Sequence, residues 1–102
     1  MLHKTVVELL NRQVNKEWYS AYLYLQFANT FAHMGLDGFA NWYQVQAQEE
    51  RDHAQLFNQY LLNNNEPVIL EAIDKPDAPG ADAMALLKAG LSHEELVTSL
   101  IH

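Results

Sequence analysis

A chain of 102 residues in which 49% are hydrophobic and 11% aromatic is long enough for one modest core and too apolar to be disordered. Its formal charge of −7, with only six Lys and Arg, lacks the clustered cations that phosphate binding needs and so argues against a nucleic-acid partner. The absence of cysteine excludes disulfides and thiolate metal sites, leaving carboxylate and imidazole as the ligands on offer.

Met1 to Thr5 lacks the apolar stretch of a signal peptide, and no apolar run reaches membrane length. A soluble cytoplasmic protein without a membrane partner is therefore expected. Thr5 followed by Glu8 reads as a capping box, and no Pro or Gly follows until Gly35. Val7, Leu10, Val14, Glu17, Ala21, Tyr24, Ala28 and Phe31 step by three and four, which predicts a helix over about 5–33 with these residues on its buried stripe. Gly35 suits a left-handed cap, and His33 is placed to interact with the last carbonyls. So short a turn makes the next helix, over about 37–64, an antiparallel neighbour. Its predicted stripe is Phe39, Tyr43, Gln46, Glu50, His53, Phe57 and Tyr60, and it ends in the cluster Asn63, Asn64 and Asn65 before Pro67.

Residues 65–81 hold all three prolines, Pro67, Pro76 and Pro79, with Gly80, and read as a connection of unusual length. Extended at roughly 3.3 Å per residue it reaches about 55 Å, more than the roughly 40 Å of either helix, so a crossover is expected. The third helix, over about 82–102, would then lie parallel to the second. Val68-Ile69-Leu70 within the crossover is expected to pack on the bundle. Asp82 serves as cap or first-turn acid, and Ala83, Leu87, Gly90, Glu94, Val97 and Ile101 form the third stripe. The expectation is a single all-α domain over 1–102, an antiparallel helix pair joined by a long crossover to a third helix.

Each predicted stripe contains an acid: Glu17, then Glu50 with His53 one turn on, then Glu94. One buried acid is commonly satisfied by a local hydrogen bond. Three facing one another raise each other's pKa values and destabilise a bundle unless a cation sits among them. Oxygen ligands with one imidazole suit iron or manganese better than copper, and also admit zinc. Di-metal bundles use a Glu from each of two helices and a Glu-x-x-His from each of the other two; here the Glu-x-x-His occurs once. His3, His93 and His102 read as surface residues.

The segments Asn15-Lys16-Glu17-Trp18-Tyr19-Ser20-Ala21-Tyr22-Leu23-Tyr24, Leu36-Asp37-Gly38-Phe39-Ala40-Asn41-Trp42 and Gln46-Ala47-Gln48-Glu49-Glu50-Arg51-Asp52-His53-Ala54 resemble those of the bacterial non-haem ferritins, a ferritin-like diiron family. The resemblance implies a ferritin-like helical bundle in which Glu17, Glu50 and His53 bind one iron and Glu50 bridges to a second that Glu94 also binds. It implies that Glu49 belongs to a nearby third iron site and that Tyr24 stands beside the diiron centre, with Glu50 and Tyr24 as the catalytic pair. Without the resemblance, Glu49 reads as a solvated helix acid and Tyr24 as a core aromatic. The implied activity is ferroxidase chemistry: Fe(II) oxidised by O2, with ferric iron stored in a 24-subunit homo-oligomeric cage. In the family the third helix continues into a fourth that supplies another acidic motif. A truncated form lacking that helix is expected here, with a non-catalytic metal-binding or assembly module as the alternative.

Overall fold

Among the described residues three helices, α1 over Lys4–His33, α2 over Asp37–Asn63 and α3 over Ala83–Ile101, form the all-α architecture that the spacing predicts. The structure is a computed structural model, and its described residues are 2–77 and 82–101, the side chains of 95 and 97–101 excepted. Val97, Ile101 and His102 among the predicted side chains, and positions 78–81 of the connection, lie outside the described residues.

His3, and not Thr5, caps α1. Its extended backbone lets Nδ1 accept from the Thr5 N–H at 3.1 Å while its carbonyl accepts from the Val7 N–H. Thr5 therefore sits within the first turn, where its own N–H needs an acceptor. At the other end Gly35 has φ +79°, with Gly35 N–H donating to the Ala32 carbonyl and Leu36 N–H to that of Phe31. This is a Schellman closure, which requires a left-handed residue. α2 ends the same way with an asparagine: Asn65 has φ 57°, its N–H donates to the Leu62 carbonyl, and Glu66 N–H donates to that of Leu61.

The first predicted stripe is the buried face of α1 from Val14 to Phe31, joined by Ser20, Leu23 and Phe27. The stripe of α2 is displaced from its predicted line. Ala40, Tyr43, Ala47, Glu50, Ala54 and Leu61 are buried, whereas Phe39 and Tyr60 are 43% and 48% exposed. Small alanines at seven-residue spacing seat α2 against α1, and the bulkier side chains that suggested a buried line stand on its flank. The main core joins Leu23, Tyr24, Phe27, Ala28 and Phe31 of α1 to Ala40, Tyr43 and Ala47 of α2 and to Leu86 of α3.

The crossover is held by two asparagines one turn apart on α1. Asn11 donates Nδ2–H to the Pro67 carbonyl (3.1 Å) and accepts from the Ile69 N–H (2.7 Å). Asn15 donates to the Ile69 carbonyl (2.9 Å) and accepts from the Glu71 N–H (2.8 Å). Each carboxamide thus acts on the connection as the edge of a neighbouring strand would. Ile69 and Leu70 remain 57% and 66% exposed while Val68 is half-buried, so hydrogen bonds do most of the fastening and the predicted apolar packing is confined to Val68. Further along, Asp77 N–H reaches the Tyr19 hydroxyl, so the connection runs beside α1 in its direction. α3 then returns against α1, with Leu86 in the shared core, Gly90 against Tyr43 of α2 and His93 at the level of Ser20, and is parallel to α2. Asp82 caps it, its Oδ1 accepting from the Met84 N–H.

Candidate metal centre

Antiparallel packing brings the middles of α1 and α2 to one level, and there Glu17 and Glu50 face each other from buried positions, 2% and 7% exposed. Gln13, one turn before Glu17, donates Nε2–H to Glu17 Oε1 at 2.8 Å. That bond leaves Glu17 Oε2 without a hydrogen-bond partner, and Glu50 Oε2 is equally unpartnered. Both oxygens face one nitrogen: His53 Nδ1 lies 3.6 Å from Glu17 Oε2 and 3.7 Å from Glu50 Oε2. The contacts are long for hydrogen bonds. They match instead the roughly 3–4 Å that separates donor atoms sharing one cation at about 2.1 Å each. Glu17, Glu50 and His53 are the one such three-ligand group among the described residues. Two buried oxygens without donors and an imidazole nitrogen aimed between them fit a divalent cation on chemical grounds. His53 itself is not buried, its side chain being 54% exposed on the flank of α2.

The cost of the arrangement falls on Glu50. Burial, then the facing Glu17 carboxyl, then the charges of Glu94 and Glu49 push its carboxyl up to about 9. At neutral pH and without a cation it holds a proton that a metal would displace. Glu49 is exposed and stands outside the three-ligand group, acting on Glu50 through charge alone.

Glu94 arrives from α3, half-buried, and accepts a hydrogen bond of 2.5 Å from the Tyr24 hydroxyl. Burial, and then that bond, drive the Tyr24 phenol far above its ordinary range. Tyr43 is also raised, by burial and then by the Glu94 charge. Glu94 is thus within electrostatic reach of Glu50, although it is not one of the three converging ligands. Tyr24 and Tyr43 belong to an aromatic cluster in which Tyr24 meets Tyr43 at 5.6 Å and Phe31 stacks on Tyr43 at 5.6 Å and 11°.

His93 is not the surface residue that the sequence suggests. Its Nε2 lies 2.7 Å from the buried Ser20 Oγ, and its ring meets Tyr24 edge-on at 5.5 Å and Tyr19 at 6.1 Å. Burial lowers its pKa against the opposing pull of Glu94 and Glu17, so the ring is neutral at pH 7. His3 is exposed as expected, though it caps a helix. Gln13 and Ser20 were also invisible as site residues. The four-residue step from Gln13 to Glu17 was the available signal for the first; the pairing of Ser20 with His93, 73 positions away, left no local pattern.

Comparison with known proteins places these residues in context. The model of the ferritin-like domain family matches residues 7–102. The bacterial non-heme ferritin of Campylobacter jejuni is 34% identical over 102 residues, an alignment that covers 100% of this chain and 61% of that protein. That of Staphylococcus saprophyticus is 34% identical over 98 residues, covering 96% of this chain and 59% of the relative. A crystal structure described as a novel open pore ferritin from the hyperthermophilic archaeon Archaeoglobus fulgidus superposes with a TM-score of 0.92 at 40% identity, covering 100% of this chain and 63% of that one. The chain therefore spans about three fifths of the length of the relatives it matches.

Proposed function

From a chain that belongs to the ferritin-like domain family and folds as three helices of a ferritin-like bundle, we propose an iron-storage protein with ferroxidase activity. Fe(II) is the substrate and O2 the oxidant, with ferric product stored in a cytoplasmic cage of like subunits. The observation that carries this proposal is the convergence of two partnerless buried carboxylate oxygens, of Glu17 and Glu50, on the Nδ1 of His53.

In this proposal Glu17, Glu50 and His53 take the first Fe(II), Gln13 holding Glu17 by one oxygen so that the other is free to bind. Glu50 releases its proton on metal binding and bridges to a second Fe(II), which Glu94 also binds. Two Fe(II) side by side supply O2 with two electrons, so neither iron has to give up more than one. Tyr24, tied to Glu94, fixes that carboxylate against the centre. Glu49 lies on the outer side, where it would hold a third iron in transit.

Anaerobic Fe(II) titration followed by an O2 pulse is the test. About two Fe(II) per chain, oxidised well above the buffer rate, are expected. Glu50→Ala should abolish both sites and Glu94→Ala only the second; a Glu50→Ala variant that keeps either site would refute the bridging role. A second reading, a non-catalytic module that binds one metal, is favoured by the exposure of His53 and by Glu94 standing outside the three-ligand group. It would appear as one weak site and oxidation at the buffer rate.

A further inference from the structure

α3 carries Glu94 but reaches its place through few anchors. Leu86 is fully buried in the core near the start of the helix. Gly90 lets the Tyr43 hydroxyl lie against its backbone, where a Cβ would collide with the phenol. Beyond Gly90 two side-chain hydrogen bonds join α3 to α1: Ser20 with His93 at 2.7 Å, and Tyr24 with Glu94 at 2.5 Å. Ser20 and Tyr24 are one turn apart on α1, and His93 and Glu94 are consecutive on α3. Consecutive helical residues point about 100° apart, so a bond to His93 fixes the rotation of α3 about its axis in a way that the Glu94 bond alone cannot.

Ser20 is 2% exposed, and its hydroxyl either meets His93 or falls back on its own helix. Tyr19 and Tyr24 flank the His93 ring, holding it in the orientation that presents Nε2 to Ser20. The ring is therefore clamped on two sides and hydrogen-bonded at its tip. Neither Ser20 nor His93 is among the three converging metal ligands.

We infer that the Ser20–His93 hydrogen bond is a latch that sets the rotation of α3 and so positions Glu94 for the second metal, making His93 a positioning residue and not a ligand. The inference rests on the proposed role of Glu94 in binding that metal. Loss of the latch leaves Glu17, Glu50 and His53 on their own two helices, so the first site is spared. Only the binding step that needs α3 in register suffers.

The test is Co(II) titration of the metal-free chain, followed by visible absorption, for the parent and for His93→Phe, His93→Gln, Ser20→Ala and Glu94→Ala. His93→Phe keeps a ring between the two tyrosines but cannot bond Ser20. His93→Gln restores a polar nitrogen at that reach. With the latch lost, the first equivalent should bind as in the parent and the second about 10–100-fold more weakly, the size of effect typical of groups that orient a ligand. Ser20→Ala should match His93→Phe, the double variant should add nothing further, and His93→Gln should recover much of the loss. An unchanged second equivalent in both His93→Phe and Ser20→Ala, with Glu94→Ala still weakening it, overturns the latch. If Glu94→Ala has no effect on the second equivalent, the assignment of Glu94 fails first and the latch with it. Unaltered binding of the first equivalent guards against misfolding, and Ser20→Ala removes a single oxygen where His93→Phe exchanges a whole ring.

Discussion

Glu50 is 7% exposed, and with its carboxyl pushed up to about 9 it is neutral at pH 7 in the metal-free protein. An unfolded glutamate ionises near 4.3. Between these values the folded chain binds the proton that the unfolded chain has lost, so stability falls as pH rises. The contribution is fully present below about 4.3 and is lost on passing through about 9. Thermal melts of metal-free protein should therefore show a midpoint that declines from about pH 5 to pH 9. Glu50→Gln, which keeps the shape and removes the titration, should flatten that decline while abolishing metal binding. At pH 8 it should raise the metal-free midpoint by about 4–8 °C, the effect of 1 kcal/mol in a domain of this size. A midpoint lowered at pH 8 would mean that the carboxyl is satisfied in some way that makes it a structural asset. The same comparison in saturating Zn(II) should invert, since only the parent chain gains stability from a bound ion.

Among the elements, α3 shows a contest between two effects at Gly90. Helix propensity favours Ala over Gly by about 1 kcal/mol in a helix interior. A Cβ at Gly90, however, would run into the hydroxyl and ring of Tyr43, which Phe27, Phe31, Tyr24 and Trp42 hold in place. Overpacking of this kind costs about 1–3 kcal/mol, so packing should win and Gly90→Ala should destabilise the chain in urea melts. Adding Tyr43→Phe should recover part of the loss, because the hydroxyl is the nearest obstacle; no recovery would place the strain elsewhere. The crossover depends on a different kind of contact. Asn11→Ala and Asn15→Ala each delete two hydrogen bonds to the connection, worth about 1 kcal/mol apiece at most at this exposed site. The amides of Ile69 and Glu71 should then exchange faster with solvent while those of the α1–α2 core do not. Periodicity was enough to read the helices, because both long ones have uninterrupted steps of three and four and end in left-handed caps at Gly35 and Asn65. It placed Tyr43 and Glu50 correctly on the buried side of α2 but set the line one residue off elsewhere, since apolar bulk at Phe39 and Tyr60 outweighed the alanines that make the contact. The asparagine clamp was illegible for a related reason: Asn11 and Asn15 resemble ordinary solvated helix residues until the segment 56 positions away is placed beside them.

At the scale of the whole molecule the legible part of the site is what one helix or two facing helices can encode. Glu50 and His53 announce themselves by an i, i+3 step, and Glu17 by its place on a buried stripe. The contacts of α3 depend on how a helix docks after a long crossover, so His93 read as a surface residue although it meets Ser20. The docking leaves one face of the molecule open. Between α2 and α3 runs a cleft of about 770 Å³ lined by Leu36, Phe39, Trp42, Leu87, Leu91 and Glu94, and of these Leu36, Phe39, Trp42 and Leu91 are exposed. Apolar surface collected in this way is what drives association, and an overall negative charge does little to oppose it at physiological salt, where exposed charges are screened beyond about 8 Å. The chain on its own should therefore self-associate at tens of micromolar, giving a light-scattering mass above that of one chain. Trp42→Glu, which puts a charge in the middle of the cleft without touching Glu17, Glu50 or His53, should shift it towards the monomer and leave the first metal affinity unchanged. A monomeric parent would show that the cleft does not drive association. A Trp42→Glu variant that stays associated would place the contact outside the cleft, at other exposed apolar residues such as Leu9 of α1 or Leu70 of the crossover.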